Sequence, residues 1–359
     1  MKITDIVCEK RTVSLKRPFK TAVRIVETID VLDVRVQTDS GIEGYGSATA
    51  TLQVTGDSLE GMKAAIKGPI QDALLNEDVN RRNHLLMKLE KSCIHNSSAK
   101  AAVDIALHDA SAKNCGVPLY QLLGGERRVL ETDMTVSIDD PGIMQEEALA
   151  RVQEGFNVLK LKVGNEEEED FRRLLRVKEV VGDDVRLRLD ANQGWTGKQA
   201  VHFLKRMEQE NLNVELVEQP VPAHDLNALK YVRDHVHLPI MADESAFSPR
   251  EVLRLLEMEC VDYVNIKLMK AGGLRRAGQI ADICESAGVP CMIGSMMEST
   301  VSGTAAVHLA MAHPNILLYD LDAPAWMNDE GLKGGMSYEG REVSLSERPG
   351  LGFYQSMEV

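Results

Sequence analysis

Lys160, Lys162, Asp190, Glu218, Asp243 and Lys267 each stand near the end of a short apolar run. The runs are Val158–Gly164, Val185–Asn192, Val214–Pro220, Pro239–Ser245 and Tyr263–Lys270. They recur roughly every 25 residues, and an amphipathic helical pattern follows each, which is how the rim of a (β/α)-barrel active site reads. A solvated strand end would explain any one of these charges, but five in succession are harder to explain that way. Three carboxylates converging on one wall repel unless a cation neutralises them. Oxygen-only donors with open positions suit Mg²⁺, one per site. Zn²⁺ suits them less, since no His or Cys stands at these strand ends. A lysine on each side of a metal-held carboxylate suits proton removal from the adjacent carbon. The metal then stabilises the enediolate, and the opposite lysine returns a proton to the other face. Such a base needs a depressed pKa, and Lys160 and the metal would push in that direction.

The elements that must position these residues follow from the alternation. Strands are expected at 132–138, 157–164, 185–192, 214–220, 239–245, 263–270, 290–295 and 316–323, with helices starting near Gly142, Glu168, Thr196, Asp225, Ser248, Gly273 and Thr300. Thr196, Asp225 and Ser248 are good N-cap types, and Pro249 suits a first helical position. In an eight-stranded barrel the second and sixth strands are opposite, so Lys162 and Lys267 should face each other. The eighth lies opposite the fourth, which sets Asp320 and Asp322 across from the carboxylate arc.

Before the barrel, residues 2–15, 30–38 and 43–49 alternate as strands, and 57–123 turns helical. The stretch Pro18–Glu27 reads as a long, irregular loop, the kind that is usually functional or disordered. Gly124-Gly125 marks a boundary, and no long helix follows Ala323. The organisation expected is an α+β capping domain with a lid loop over 1–125, a barrel carrying the site over 126–323, and a segment over 324–359 returning to the capping domain.

A chain of 359 residues with 44% hydrophobic and 27% charged residues is of ordinary soluble globular type. Its formal charge of −14 argues against nucleic acid or an anionic membrane as partner. The first residues carry no apolar leader core, and no run is long enough to span a bilayer. Six cysteines without C-x-x-C spacing suit a reduced, cytoplasmic protein. Gly272-Gly273 serves a βα turn, without a P-loop sequence after it. His95, His108 and His308 read as packing or surface residues.

Taken together, Lys160-x-Lys162, Asp190-x-Asn192, Glu218-Gln-Pro220, Asp243-Glu-Ser245 and Lys267 resemble the enolase superfamily, in its muconate-lactonizing-enzyme subgroup. The resemblance spans essentially the whole chain, and includes Gly116–Gly125 on the approach to the barrel. It implies a (β/α)7β modified TIM barrel, with Lys162 and Lys267 catalytic, Lys160 supporting them, and Mg²⁺ on Asp190, Glu218 and Asp243. Asn192 and Glu244 would lie behind these groups, with Glu244 supporting a lysine. Asp320-Leu-Asp322 resembles the Asp-x-Asp of dipeptide epimerases of the L-Ala-D/L-Glu type, where the pair binds the substrate ammonium. The same resemblance places Arg24 in a lid over the substrate, while Thr135 and Ser295, at other strand ends, are expected to add polar contacts, and Met297 follows the seventh strand.

The function implied is epimerisation of a dipeptide at its C-terminal residue. The apolar lid residues Ile25, Val26 and Ile29, together with Met297, favour broad tolerance with hydrophobic or aromatic side chains accepted. Strict L-Ala-D/L-Glu specificity through Arg24 is the nearest alternative. Muconate cycloisomerisation or o-succinylbenzoate synthesis is another, although those substrates lack an ammonium for Asp320 and Asp322. A non-catalytic, metal-dependent binding protein is the alternative from a different class. A homo-oligomer is compatible with all of these.

Overall fold

A computed structural model describes residues 1–20, 25–210, 212–329 and 332–354. Three antiparallel strands open the chain: β1 (Ile3–Lys20), β2 (Ile25–Thr38) and β3 (Glu43–Thr49), in the order β1-β2-β3. The irregular stretch expected around Pro18 is strand up to Lys20 and again from Ile25. Between Ser14 and Phe19 the register shifts, which hides the alternation from the sequence. Residues 21–24, including Arg24, lie outside the described residues.

The helical half of this region runs through α1 (Leu59–Ala65), a π-helical turn over Ile66–Ile70, α2 (Gln71–Leu74), α3 (Arg82–Ser92), α4 (Ser97–Cys115) and α5 (Leu119–Leu122). The α4 helix is buried from Ser98 to Ala112, as its small residues permit. It presses against β3, where Gly44 and Gly46 lie so close to the Ala106 and Ala102 carbonyls that no Cβ would fit. Gly116, in the left-handed region, ends the helix. On its other side Asp104 accepts a hydrogen bond from the Leu274 N–H at 2.7 Å, tying α4 to the barrel.

After the short strand β4 (Leu130–Glu131) the barrel begins. Its strands are β5 (Met134–Val136), β6 (Val158–Lys162), β7 (Arg186–Asp190), β8 (Val214–Glu218), β9 (Ile240–Ala242), β10 (Tyr263–Lys267), β11 (Cys291–Gly294) and β12 (Ile316–Asp320). They pair in sequence order, all parallel. The Asp133 N–H donates to the Tyr319 carbonyl at 3.2 Å, which brings the first strand beside the last. Seven long helices alternate with them: α6 (Pro141–Gln153), α7 (Glu167–Val181), α8 (Gly197–Glu210), α9 (Leu226–His235), α10 (Pro249–Glu257), α12 (Leu274–Ser286) and α13 (Thr300–Ala312). Ser248 and Glu251 form a capping box with Pro249 in the first turn of α10.

One boundary differs from expectation. The sixth barrel strand ends at Lys267, and Leu268–Ala271 is a single helical turn, α11. Lys270 therefore belongs to that turn and not to a strand. Beyond the barrel, β13 (Lys333–Gly334), β14 (Met336–Glu339), β15 (Glu342–Leu345) and β16 (Phe353–Tyr354) are short. β15 pairs with β4, and Met327 bridges back to Leu15 of β1. No helix of the described residues is long and apolar enough to cross a membrane.

Candidate active site

Strand register assembles the site. Lys162 is the register partner of Asp190, and Asp190 of Glu218. On the far side Lys267 is level with Gly294, and Gly294 with Asp320. Because alternate residues of a strand share one face, these side chains point into the barrel and crown its C-terminal end. Above them lies a cavity of about 380 Å³, lined by Lys160, Lys162, Asp243, Glu244, Lys267, Asp320 and Asp322 among others. Phe19 of β1 and Val54 reach over from the N-terminal region.

Every ammonium group here touches carboxylate. Lys160 Nζ lies 2.7 Å from Glu218, 2.8 Å from Asp320 and 3.1 Å from Asp190. Lys162 donates to Asp190 at 2.5 Å, and Lys267 to Asp243 at 2.7 Å. Lys270 holds the other oxygen of Asp243 at 2.5 Å and also donates to the Asp243 carbonyl. Asn265 donates to Glu218 at 2.8 Å, and the missing side chain of Gly294 leaves room for its amide. Gln219, with a left-handed backbone, accepts from the N–H groups of Asp243 and Ser245 and so couples the ends of β8 and β9.

The electrostatics follow from burial and crowding. Burial opposes ionisation of Asp190, but Lys162 and Lys160 outweigh it and hold the carboxyl below its usual range. Asp243 behaves in the same way beside Lys267 and Lys270. For Glu218, burial and the charge of Asp190 push the carboxyl up. Burial, followed by Asp243 and Asp190, raises Glu244 to about 8. Burial lowers the pKa of Lys267, but Asp243 and Glu218 outweigh this and raise it.

A divalent cation fits this surplus. Asp190, Glu218, Asp243, Asp320 and Asp322 face Lys160, Lys162, Lys267 and Lys270, so carboxylates outnumber ammonium groups even with Glu244, raised to about 8, left protonated. Among the described residues, Glu244 Oε2 and Asn192 Oδ1 are buried without a hydrogen-bond partner. A convergent set of carboxylate oxygens suits a hard ion of the Mg²⁺ type. A trio elsewhere, exposed Asp282 and Glu285 with half-buried His313, belongs to helix ends and not to these strand ends.

The cavity is also lined by Thr135, Asn192, Ser295 and Met297. Glu244 makes no direct ion pair with a lysine among the described residues; it accepts from Asn192 Nδ2 at 3.3 Å, and Lys267 acts on it only through its field. Asp320 is occupied by Lys160, whereas Asp322 Oδ2 accepts from the Thr135 N–H at 2.7 Å and from Trp326 Nε1 at 3.1 Å. Phe19, Gln219, Asn265, Lys270 and Trp326 were not singled out from sequence. Only Lys270, three residues beyond Lys267, and Gln219, next to Glu218, offered a local signal.

Fold and site together define a (β/α)7β barrel whose mouth sets lysines on both sides of a carboxylate arc, capped by an α+β region. Residues 2–124 match the family description "Mandelate racemase / muconate lactonizing enzyme, N-terminal domain", and 143–359 match "Enolase C-terminal domain-like". The chain belongs to the enolase superfamily. It is 45% identical over 352 residues to the L-Ala-D/L-Glu epimerase of Clostridium acetobutylicum, covering 98% of each chain. A substrate-liganded complex of the L-Ala-D/L-Glu epimerase from Bacillus subtilis superposes with a TM-score of 0.97 at 44% identity, covering 98% of this chain and 99% of that one. The dipeptide epimerase of Enterococcus faecalis, complexed with Mg and L-Leu-L-Tyr, gives 0.95 at 40% identity, covering 99% and 100%.

Proposed function

We infer that this protein is a Mg²⁺-dependent dipeptide epimerase, an isomerase that inverts the α-carbon of the C-terminal residue. The observation that carries the reading is the placement of Lys162 and Lys267 on the second and sixth barrel strands, facing one cavity with the carboxylate arc between them. Asp190, Glu218 and Asp243 would hold the metal. When bound, Mg²⁺ supplies positive charge that compensates these carboxylates and the negative charge growing on the substrate carboxylate. One lysine takes the α-proton from its face, and the other delivers a proton to the opposite face. Lys160, held between Asp190, Glu218 and Asp320, adds a fixed positive charge beneath the reacting carboxylate. Asp322, with one oxygen fixed by Thr135 and Trp326, offers the other to the substrate ammonium. A muconate or succinylbenzoate precursor has no ammonium to meet it.

Specificity is read as broad, with hydrophobic or aromatic second residues accepted. Phe19, Val54, Met296 and Met297 line the cavity, and no arginine does so among the described residues. Its lysines are already engaged by carboxylates, which leaves a glutamate side chain without an uncontested cation there. Preference for glutamate through Arg24 is the second reading, favoured by the likeness to L-Ala-D/L-Glu epimerases. A cytoplasmic setting agrees with six unpaired cysteines. The test is a dipeptide library incubated in D₂O with Mg²⁺ and read by mass spectrometry, followed by kcat/KM for L-Ala-L-Phe and L-Ala-L-Glu. A hundredfold advantage for Glu, lost in Arg24→Ala, would replace the first reading by the second.

A further inference from the structure

Asp322 is held by a side chain that takes no part in the proton transfers. Trp326, 3% exposed, donates its indole N–H to Asp322 Oδ2 at 3.1 Å from a 3₁₀ turn over Ala323–Trp326. The indole is itself gripped by β1. Phe19 meets it edge-on with ring centroids 5.1 Å apart, and the Arg17 guanidinium stacks 4.3 Å from its centre. Arg17 and Phe19 are available there because β1 bulges: five steps along it, from Ser14 to Phe19, span two steps of β2, from Thr28 to Val26. The bulge is fastened to the segment after the tryptophan by the Asn328 N–H to the Ser14 carbonyl at 3.0 Å. Phe19 also lines the cavity, with the Lys162 ammonium 6.0 Å from its ring centre.

We propose that Trp326 is the positioning residue of the ammonium site: it orients Asp322 toward the substrate N-terminus and ties that orientation to strand β1. A carboxylate with one oxygen fixed by two N–H donors presents its other oxygen in a single direction, so binding a free α-ammonium needs no further ordering of Asp322. The proposal rests on the reading of Asp322 as the ammonium ligand, and the experiment separates the two.

Trp326→Phe keeps an aromatic ring for Phe19 and Arg17 and removes the N–H. KM and kcat are measured for a free dipeptide and for its N-acetyl analogue, in the wild type, Trp326→Phe and Asp322→Asn. The wild type should prefer the free dipeptide. Trp326→Phe should lose about tenfold in kcat/KM on it, mainly through KM, consistent with one hydrogen bond to a charged group. The acetylated analogue should be unaffected, so the preference shrinks by the same factor. An equal loss on both substrates, or no loss, overturns the proposal. If Asp322→Asn keeps the full preference for the free amine, the ammonium reading falls and takes the proposal with it. If Asp322→Asn loses the preference and Trp326→Phe does not, only the proposal falls. A second readout is independent of turnover: quenching or shift of indole emission on titrating the free dipeptide. The chain has two tryptophans, and the change should disappear in Trp326→Phe. A change retained in that variant would count against the proposal.

Discussion

Lys160 and Arg188 are register partners on neighbouring strands, both sealed from solvent, yet they meet different surroundings. Arg188, in the layer beneath the mouth, contacts Asp133 at 2.8 Å, Glu215 at 2.6 Å and the Tyr319 carbonyl at 3.1 Å. Arg186 pairs with the same Glu215, so two arginines meet two acids. Burial works against the Arg188 charge, but Asp133 and Glu215 outweigh it and hold the guanidinium above its ordinary range. Lys160 instead shares three carboxylates with its neighbours, in a region where acids outnumber ammonium groups and a cavity lies above. Buried charge by itself therefore does not mark function in this barrel. What distinguishes the mouth is an unbalanced charge beside accessible space, whereas in the layer below Arg188 is matched directly by Asp133 and Glu215.

Substitutions can break this contrast from either side. The largest effect is expected at the mouth: Lys162→Ala and Lys267→Ala should each cut epimerisation by at least about a thousandfold while the protein stays folded at assay temperature. A parallel loss of folding, seen by circular dichroism, would mean that the mouth is structural after all. In the layer beneath, Arg188→Met should destabilise the protein by about 3–5 kcal/mol, because buried Asp133 loses its partner while Glu215 keeps Arg186. The kcat of its folded fraction should stay within a few-fold of wild type, as measured after urea titration.

The charge surplus leads to a sharper expectation for metal. Adding Mg²⁺ at a hundred times its Kd should stabilise the protein by about 2.7 kcal/mol. Glu218→Gln should need a much higher concentration for the same rise in Tm. Exhaustive chelation should stop turnover, and an enzyme still active in chelator would remove the cation from the account.

The smallest effect concerns His308, another closed group. Its Nδ1 accepts the Tyr120 N–H at 3.0 Å, and burial lowers its pKa from 6.5 to about 3. A folded pKa below the unfolded one means that the unfolded chain binds the proton first. Stability is then complete above pH 6.5 and declines as the pH falls toward 3. At pH 5 the loss amounts to about 2 kcal/mol, and urea midpoints of His308→Asn should lack it. An unchanged acid sensitivity would contradict the burial of a neutral ring.

The residues that sequence made legible are those where local pattern and chemistry coincide. A short apolar run ending in a charge gave the barrel strands and placed Lys162, Asp190, Glu218, Asp243 and Lys267 together. The same pattern ran on from Tyr263 to Lys270, since four residues cannot distinguish a strand from one helical turn. Pro18 and the bulge concealed the end of β1, so Phe19 looked like loop. Glu244 takes its partner, Asn192, from the turn after β7, 52 residues earlier, a distance that no local pattern reports. Trp326 stands in a turn without periodicity, and its hydrogen bond to Asp322 appears only once the chain has folded.

Isotope exchange at the α-carbon tests the central claim most directly, since the claim is that two lysines serve opposite faces. In D₂O with Mg²⁺, the wild type should place deuterium in both epimers of an accepted dipeptide. Lys162→Ala and Lys267→Ala should each exchange the α-proton of one epimer, a different one in each variant, without converting it to the other. Full epimerisation by either single variant, or exchange of the same epimer by both, would contradict the account.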